Sequence, residues 1–194
     1  MSKKNKTSYK IMEVALKLFS EQGYYSTTTK QIAKEAKVNE LTVFRHFKTK
    51  ENLFQETTQN YVREVKVDEI VNKIKDNDFD DNIRILSRKF LDLYFYNIKL
   101  YKVQMKLADK ERKFIRLKLS REIQEVLINY FEELAEKGEI SGDPKMMAAT
   151  FVNSILGAFT VYVLTNDTFT DISIEKMVDE HAKQFSSFYQ TKKN

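Results

Sequence analysis

Apolar residues recur at helical spacing along almost the whole chain, and the polar breaks between the stripes are short. Ile11, Val14, Ala15, Leu18 and Phe19 make one stripe over residues 9–22, and Gly23 follows as a left-handed cap. Thr28 stands as an N-cap with Gln31 three residues on, opening a helix whose Ile32, Ala33 and Ala36 share a face. The small alanines let a second helix cross closely. Lys37-Val38-Asn39 breaks the pattern, and Asn39 caps a helix that turns Val43 and Phe47 inward. Glu40, Leu41, Thr42, Phe44, Arg45 and His46 are left largely outward. Two short helices joined by a tight polar break have the grammar of a helix-turn-helix, a unit that fits the major groove of DNA. Thr49 then caps a fourth helix running through Lys50, Leu53, Phe54 and Tyr61 to Val65.

A short helix is predicted over 67–74, followed by an acidic break at 76–81. Residues 83–101 are apolar nearly all round, which predicts a central buried helix, and Asn97 marks a break into a shorter one carrying Val103, Met105 and Leu107. Residues 111–137 predict a long amphipathic helix with Leu119, Ile123, Leu127, Tyr130, Phe131 and Leu134 on one side, closed by Gly138. Asp143-Pro144 restarts the chain as N-cap and first helical position. Two apolar stripes follow, Met147, Phe151, Ile155, Ala158 and Tyr162 beside Ala148, Val152, Leu156, Phe159 and Val163, so this helix needs two partners. Ile174, Met177, Val178, His181, Phe185 and Phe188 share one face of the last helix. With only four Gly and one Pro in 194 residues, turn residues are too few for a sheet protein, and the expected fold is all-α with about nine helices.

Charge adds a direction. Residues 1–54 hold eleven Lys/Arg against five Asp/Glu, net +6, and the remainder 22 against 23, net −1. The basic excess sits on the helix-turn-helix segment, as attraction to phosphates requires. Lys3, Lys4 and Lys6 form either a basic arm toward DNA or a solvated tail. The chain has no cysteine and two histidines, no His-x-x-x-His pair, no phosphate-cradling glycine loop and no nucleophile elbow. No catalytic residue, metal site or cofactor is expected, and His181 reads as a packed histidine. Met146–Asn166 is uncharged and about as long as a bilayer span, but Thr150, Asn153, Ser154, Thr160 and Thr165 dilute it. Burial rather than a membrane is expected for it, and cytoplasmic residence for the protein.

Ile11, Ala15, Leu18, Phe19, Gly23, Thr28-Thr29, Ile32-Ala33, Ala36, Val38, Thr42-Val43-Phe44, Phe47, Lys50 and Leu53 follow in order the DNA-binding module of the TetR family of transcriptional regulators, which this first quarter resembles. Three positions depart from that pattern. Lys37 stands where the turn usually carries glycine, Leu41 where a glycine or small residue is frequent, and Phe44 where a tyrosine commonly reaches a phosphate. The resemblance implies a DNA-binding domain over 1–54 and an effector-binding and dimerisation domain over 55–194. The candidates for DNA contact are Thr28, Thr29, Lys30, Glu40, Leu41, Thr42, Phe44, Arg45, His46 and Lys50, with Lys50 a phosphate anchor beside the fourth helix N-terminus.

For a small, largely apolar effector the candidates are Phe90, Tyr94, Tyr101, Met105, Phe131, Phe151, Ile155 and Tyr162, each with the competing role of packing the core. The two C-terminal helices of each subunit are expected to form a four-helix dimer interface. A homodimeric regulator, more simply a repressor, bound to a palindromic double-stranded DNA operator and released by its effector, is the function so implied. The alternative is a helical lipid- or hydrophobe-binding module with a basic, membrane-surface-binding N-terminus.

Overall fold

The computed structural model describes the backbone of residues 3–62, 66–75 and 77–191, and their side chains except at 3–5 and 109–122. Val65, Asp76 and the side chains of Lys3, Lys4 and Leu119, placed above from sequence, lie outside the described residues. Among the described residues ten helices follow in order: α1 Lys3–Gln22, α2 Thr29–Glu35, α3 Glu40–Phe47, α4 Lys50–Tyr61, α5 Val67–Ile74, α6 Phe79–Tyr96, α7 Ile98–Met105, α8 Asp109–Glu136, α9 Pro144–Thr165 and α10 Ile174–Tyr189. The fold is all-α; the strand-like pairing among the described residues is an isolated bridge between Ile140 and Gln190. Helix α1 begins at Lys3, so Lys6 sits within a helix rather than on an arm ahead of it.

The chain divides into two compact units, Met1–Arg63 with Asn97–Leu117, and Glu64–Tyr96 with Lys118–Asn194. The first unit thus reaches past residue 54 and takes back α7. Its core packs Ile11, Ala15 and Phe19 of α1 against Ile32, Phe47 and Leu53, and Leu100, Val103 and Leu107 complete it. The Phe19 ring lies 5.6 Å from Tyr24 and 5.5 Å from Phe54, which fixes the exit of α1 onto α4. Helix α2 ends in a Schellman turn: the Val38 N–H donates to Ala33 at 3.0 Å and the Lys37 N–H to Lys34 at 3.1 Å. Lys37 therefore adopts φ +54°, the left-handed conformation that Gly138 supplies in the same motif at the end of α8, with φ +71°.

In the second unit α6 and α10 run antiparallel, joined by paired hydrogen bonds of 3.0 Å from the Arg88 guanidinium to Asp179. The Ser186 hydroxyl donates to Asp80, and Gln190 to Asp78 at 3.1 Å. Ile83, Leu86, Phe90 and Leu93 form the buried face of α6. That helix is amphipathic rather than buried all round: it stops at Tyr96, which is 65% exposed, because Asn97 breaks it before α7. Likewise α9 buries Met147, Ala148, Phe151, Val152, Ile155 and Phe159, while Met146 and Leu164 stay exposed. Phe188, expected on the inner face of α10, is 77% exposed, since Phe185 and Ser186 occupy that face.

Candidate nucleic-acid interface

The helix-turn-helix is held by short-range hydrogen bonds that its sequence encodes. Thr28 Oγ1 accepts from the Gln31 N–H at 3.1 Å, and Gln31 Oε1 accepts from the Thr28 N–H at 2.9 Å, a complete capping box. Asn39 Oδ1 accepts from the Leu41 N–H at 2.9 Å and starts α3. The Thr29 hydroxyl donates to Glu40 Oε1 at 2.7 Å, tying the beginnings of α2 and α3 together. Glu40, an acid in the first turn, also opposes the α3 dipole favourably. Of the residues expected at DNA, Thr28, Thr29 and Glu40 thus set the geometry of the motif.

Val43 and Phe47 are buried, as the spacing predicted, and they orient the rest of α3. Leu41 is 53% and Phe44 58% exposed, Arg45 is exposed, and Thr42 and His46 are half-buried. At 100° per residue, Leu41 and Arg45 lie nearly opposite the buried pair, at the crest of the helix. Lys30 is exposed on α2.

The connection from α3 to α4 is a γ-turn centred on Lys48, with φ +65° and ψ −47°, closed by the Thr49 N–H donating to Phe47 at 2.7 Å. This left-handed γ-turn is rare and strained for a residue with a Cβ. It carries the Lys48 ammonium to 5.9 Å from the Phe44 ring and lets Thr49 cap α4 at once through the Asn52 N–H at 3.0 Å. Leu41, Phe44, Glu40, Lys48, Thr49 and Lys50 share an open depression of about 630 Å3 beside the exposed side of α3.

Lys50, expected at a phosphate, has an intramolecular role as well. Its ammonium donates to the Tyr24 and Thr27 carbonyls, each at 3.0 Å, and lies 4.4 Å from the Tyr24 ring. Burial pushes its pKa below the ordinary lysine value. One of its three N–H groups remains for a phosphate. The backbone N–H groups at the start of α4 point the same partial positive charge outward.

Two residues of this unit escaped the sequence reading. Thr27 is fully buried, donating to the Gly23 carbonyl at 2.8 Å and accepting from Gln22 at 3.2 Å. Lys106, just after α7, donates to the Ser20 and Glu21 carbonyls at 2.7 and 2.6 Å and so caps the end of α1. The Lys106 contacts have no sequence signal, because their partners are more than eighty positions away, whereas those of Thr27 are four and five residues away and were within reach of a local reading.

Residues 11–57 match the family model of bacterial regulatory proteins, tetR family. That match places the helix-turn-helix segment in the family. Along most of its length it is similar to the HTH-type transcriptional regulator YvkB of Bacillus subtilis, with 25% identity over 92% of this chain and 95% of that one. The negative transcriptional regulator IcaR of the Staphylococcus epidermidis biofilm operon is 28% identical over 64% of this chain and 65% of its own. Among solved structures, NalD of Pseudomonas aeruginosa, the secondary repressor of the MexAB-OprM multidrug efflux pump, superposes with a TM-score of 0.72 at 18% identity over 96% of this chain and 98% of that one. That last likeness concerns the fold. The protein is a DNA-binding transcriptional regulator, and the membrane-surface alternative is not favoured.

The residues expected at an effector divide between the units. Tyr101 and Met105 lie on α7, in the first; the other six are in the second. There Phe90, Phe131, Phe151 and Ile155 are fully buried, and Phe151 packs on Phe90 at 5.9 Å and on Phe185 at 5.2 Å. Tyr94 and Tyr162 are half-buried and stack against Phe159, at 5.4 and 6.4 Å.

Proposed function

We propose that this tetR-family protein is a homodimeric repressor that binds a palindromic operator through α3 and lets go when a small apolar molecule enters its second unit. The observation that carries the DNA-binding half is the outward face of α3, where Arg45 and Leu41 stand at the crest and Lys48 and Lys50 border the same depression as Leu41. The sign of regulation follows IcaR and NalD, both named as repressors or negative regulators. The site of action is the cytoplasm, where the operator is.

Support for the dimer comes from the open side of α9. Met146, Thr150, Asn153, Gly157 and Leu164 are exposed there, one helical turn apart, with Val161 half-buried among them. Small residues at 150, 154 and 157 admit a close helix from a second copy. Exposed Phe188 extends the apolar area along α10. For the effector we propose entry between Tyr94, Phe159 and Tyr162, because the two tyrosines are half-buried and reach solvent while Phe159 beneath them is fully buried. Effector binding would act by population shift, favouring a spacing of the two α3 helices that no longer fits successive major grooves.

Selection of bound sites from a random duplex pool tests the proposal. A twofold site with half-site centres about 10 base pairs or a multiple apart is expected. Binding without sequence preference, or to a single lone half-site, would overturn it. A thermal-shift screen with apolar small molecules, followed by DNA release, tests the effector half.

A further inference from the structure

We infer that Leu41 and Phe44 read thymine through its C5-methyl group, an inference that rests on the DNA-binding role proposed for α3. Both are large apolar side chains left in water on an eight-residue helix: Leu41 is 53% and Phe44 58% exposed. Folding does not account for them. The core of this unit is filled by Val43 and Phe47 from the same helix, and an exposed phenylalanine is a poorer helix former than most alternatives.

Their spacing of three makes them neighbours on the helix surface, and both border the same open depression. The polar groups around that depression define the partner. Lys48 lies 5.9 Å from the Phe44 ring, Lys50 borders the depression, and Arg45 follows Leu41 by one turn. Glu40 also lines the depression, but its carboxylate already accepts from the Thr29 hydroxyl at 2.7 Å, so two apolar side chains among lysines remain to match a groove with phosphates along its edges and methyl groups on its floor. In the major groove of duplex DNA only thymine offers a methyl, and apolar side chains are its usual readers. Phe44 carries no hydroxyl with which to bind a phosphate, which leaves the whole ring available to the groove. Leu41 and Phe44 therefore select A·T pairs, whereas Arg45 alone on this face has the fork that recognises guanine.

Deoxyuridine in place of thymine removes the methyl and leaves every hydrogen bond of the pair in place. The full chain is titrated with its selected site and with versions in which single thymines are replaced by deoxyuridine. Burial of one methyl group corresponds to about fourfold in affinity, so a loss of about that size is expected at one or more thymines of each half-site. Leu41→Ala should abolish the effect at one thymine and Phe44→Ala at another; as both side chains are exposed, both variants keep the fold. Circular dichroism and an unchanged thermal unfolding midpoint verify that. If the wild type discriminates among sequences yet ignores every deoxyuridine, or if both alanine variants keep the full methyl effect, the inference is overturned and the DNA-binding role stands. Capture of a protein segment by this face, with no duplex preferred over another, would overturn both.

Discussion

The ammonium of Lys106 lies 2.7 Å from the carbonyl of Ser20, and this contact fastens the segment after α7 to the last turn of α1. A second bond to Glu21 at 2.6 Å satisfies another carbonyl that the helix end leaves without an intrahelical partner. Both partners lie in the first unit, where the contact holds the end of α7 on α1. Lys106→Met keeps the aliphatic stem and removes the cap. The first unit should lose about 1–3 kcal/mol, read as a lower midpoint in denaturant unfolding.

Lys37 offers a gain of stability. Its φ of +54° costs a residue with a Cβ about 1–3 kcal/mol, and glycine relieves that at an entropic cost of about 0.5–1 kcal/mol. Lys37→Gly is expected to stabilise the protein by about 0.5–1 kcal/mol, and Lys37→Val to destabilise it. Urea titrations of the two variants should shift in opposite directions.

The pH dependence has two windows. His181 is half-buried between Phe151 and Phe185, its Nδ1 has no hydrogen-bond partner, and burial lowers its pKa from 6.5. The unfolded chain takes up a proton as pH falls through 6.5 while the folded chain resists. Stability is therefore full above that value and declines below it until the lower folded pKa is reached. The Asp80 and Asp179 carboxylates are held below 3.8, the first chiefly by the Ser186 hydroxyl and the second by Arg88. Their contribution is present above about pH 4 and is lost in stronger acid. His181→Phe should flatten the upper window and leave the lower one, as thermal melts between pH 7 and 3 will reveal.

For the dimer the two sides of α9 give opposite expectations. A Cβ at Gly157 meets nothing within 4 Å, so Gly157→Glu places a charge on the open side without disturbing the monomer. That variant should sediment as a folded monomer and lose operator affinity, because one α3 reads only half the site. Phe159 is fully buried against Tyr94 and Phe95, so Phe159→Asp, which the two-stripe pattern offers as an interface probe, should unfold the second unit instead. Leu156 is half-buried and lies at the margin between the two sides.

What could be read from sequence follows from the range of each interaction. Thr28, Gln31, Asn39 and Thr49 act on backbone groups two or three residues away, so spacing alone was enough to place the helix starts. The inward turn of Val43 and Phe47 is likewise local periodicity. Periodicity misled where apolar residues are dense. On α6 and α9 it could not say which apolar side faces the core, since Tyr96 and Leu164 are as apolar as their buried neighbours. Lys50 and Lys106 were illegible in their structural role for a different reason: a lysine that caps carbonyls far away in the chain has the same sequence signature as one in solvent.

The most direct measurement is a titration of Arg45→Ala against both the selected operator and a random duplex, at several salt concentrations. If the crest of α3 reads bases, operator affinity falls about 5- to 150-fold, the 1–3 kcal/mol of a guanine contact, while random-duplex affinity changes little and the salt slope shifts by no more than one phosphate contact. A variant that binds both duplexes more weakly by the same factor, or that keeps the wild-type preference for its operator, would contradict the account.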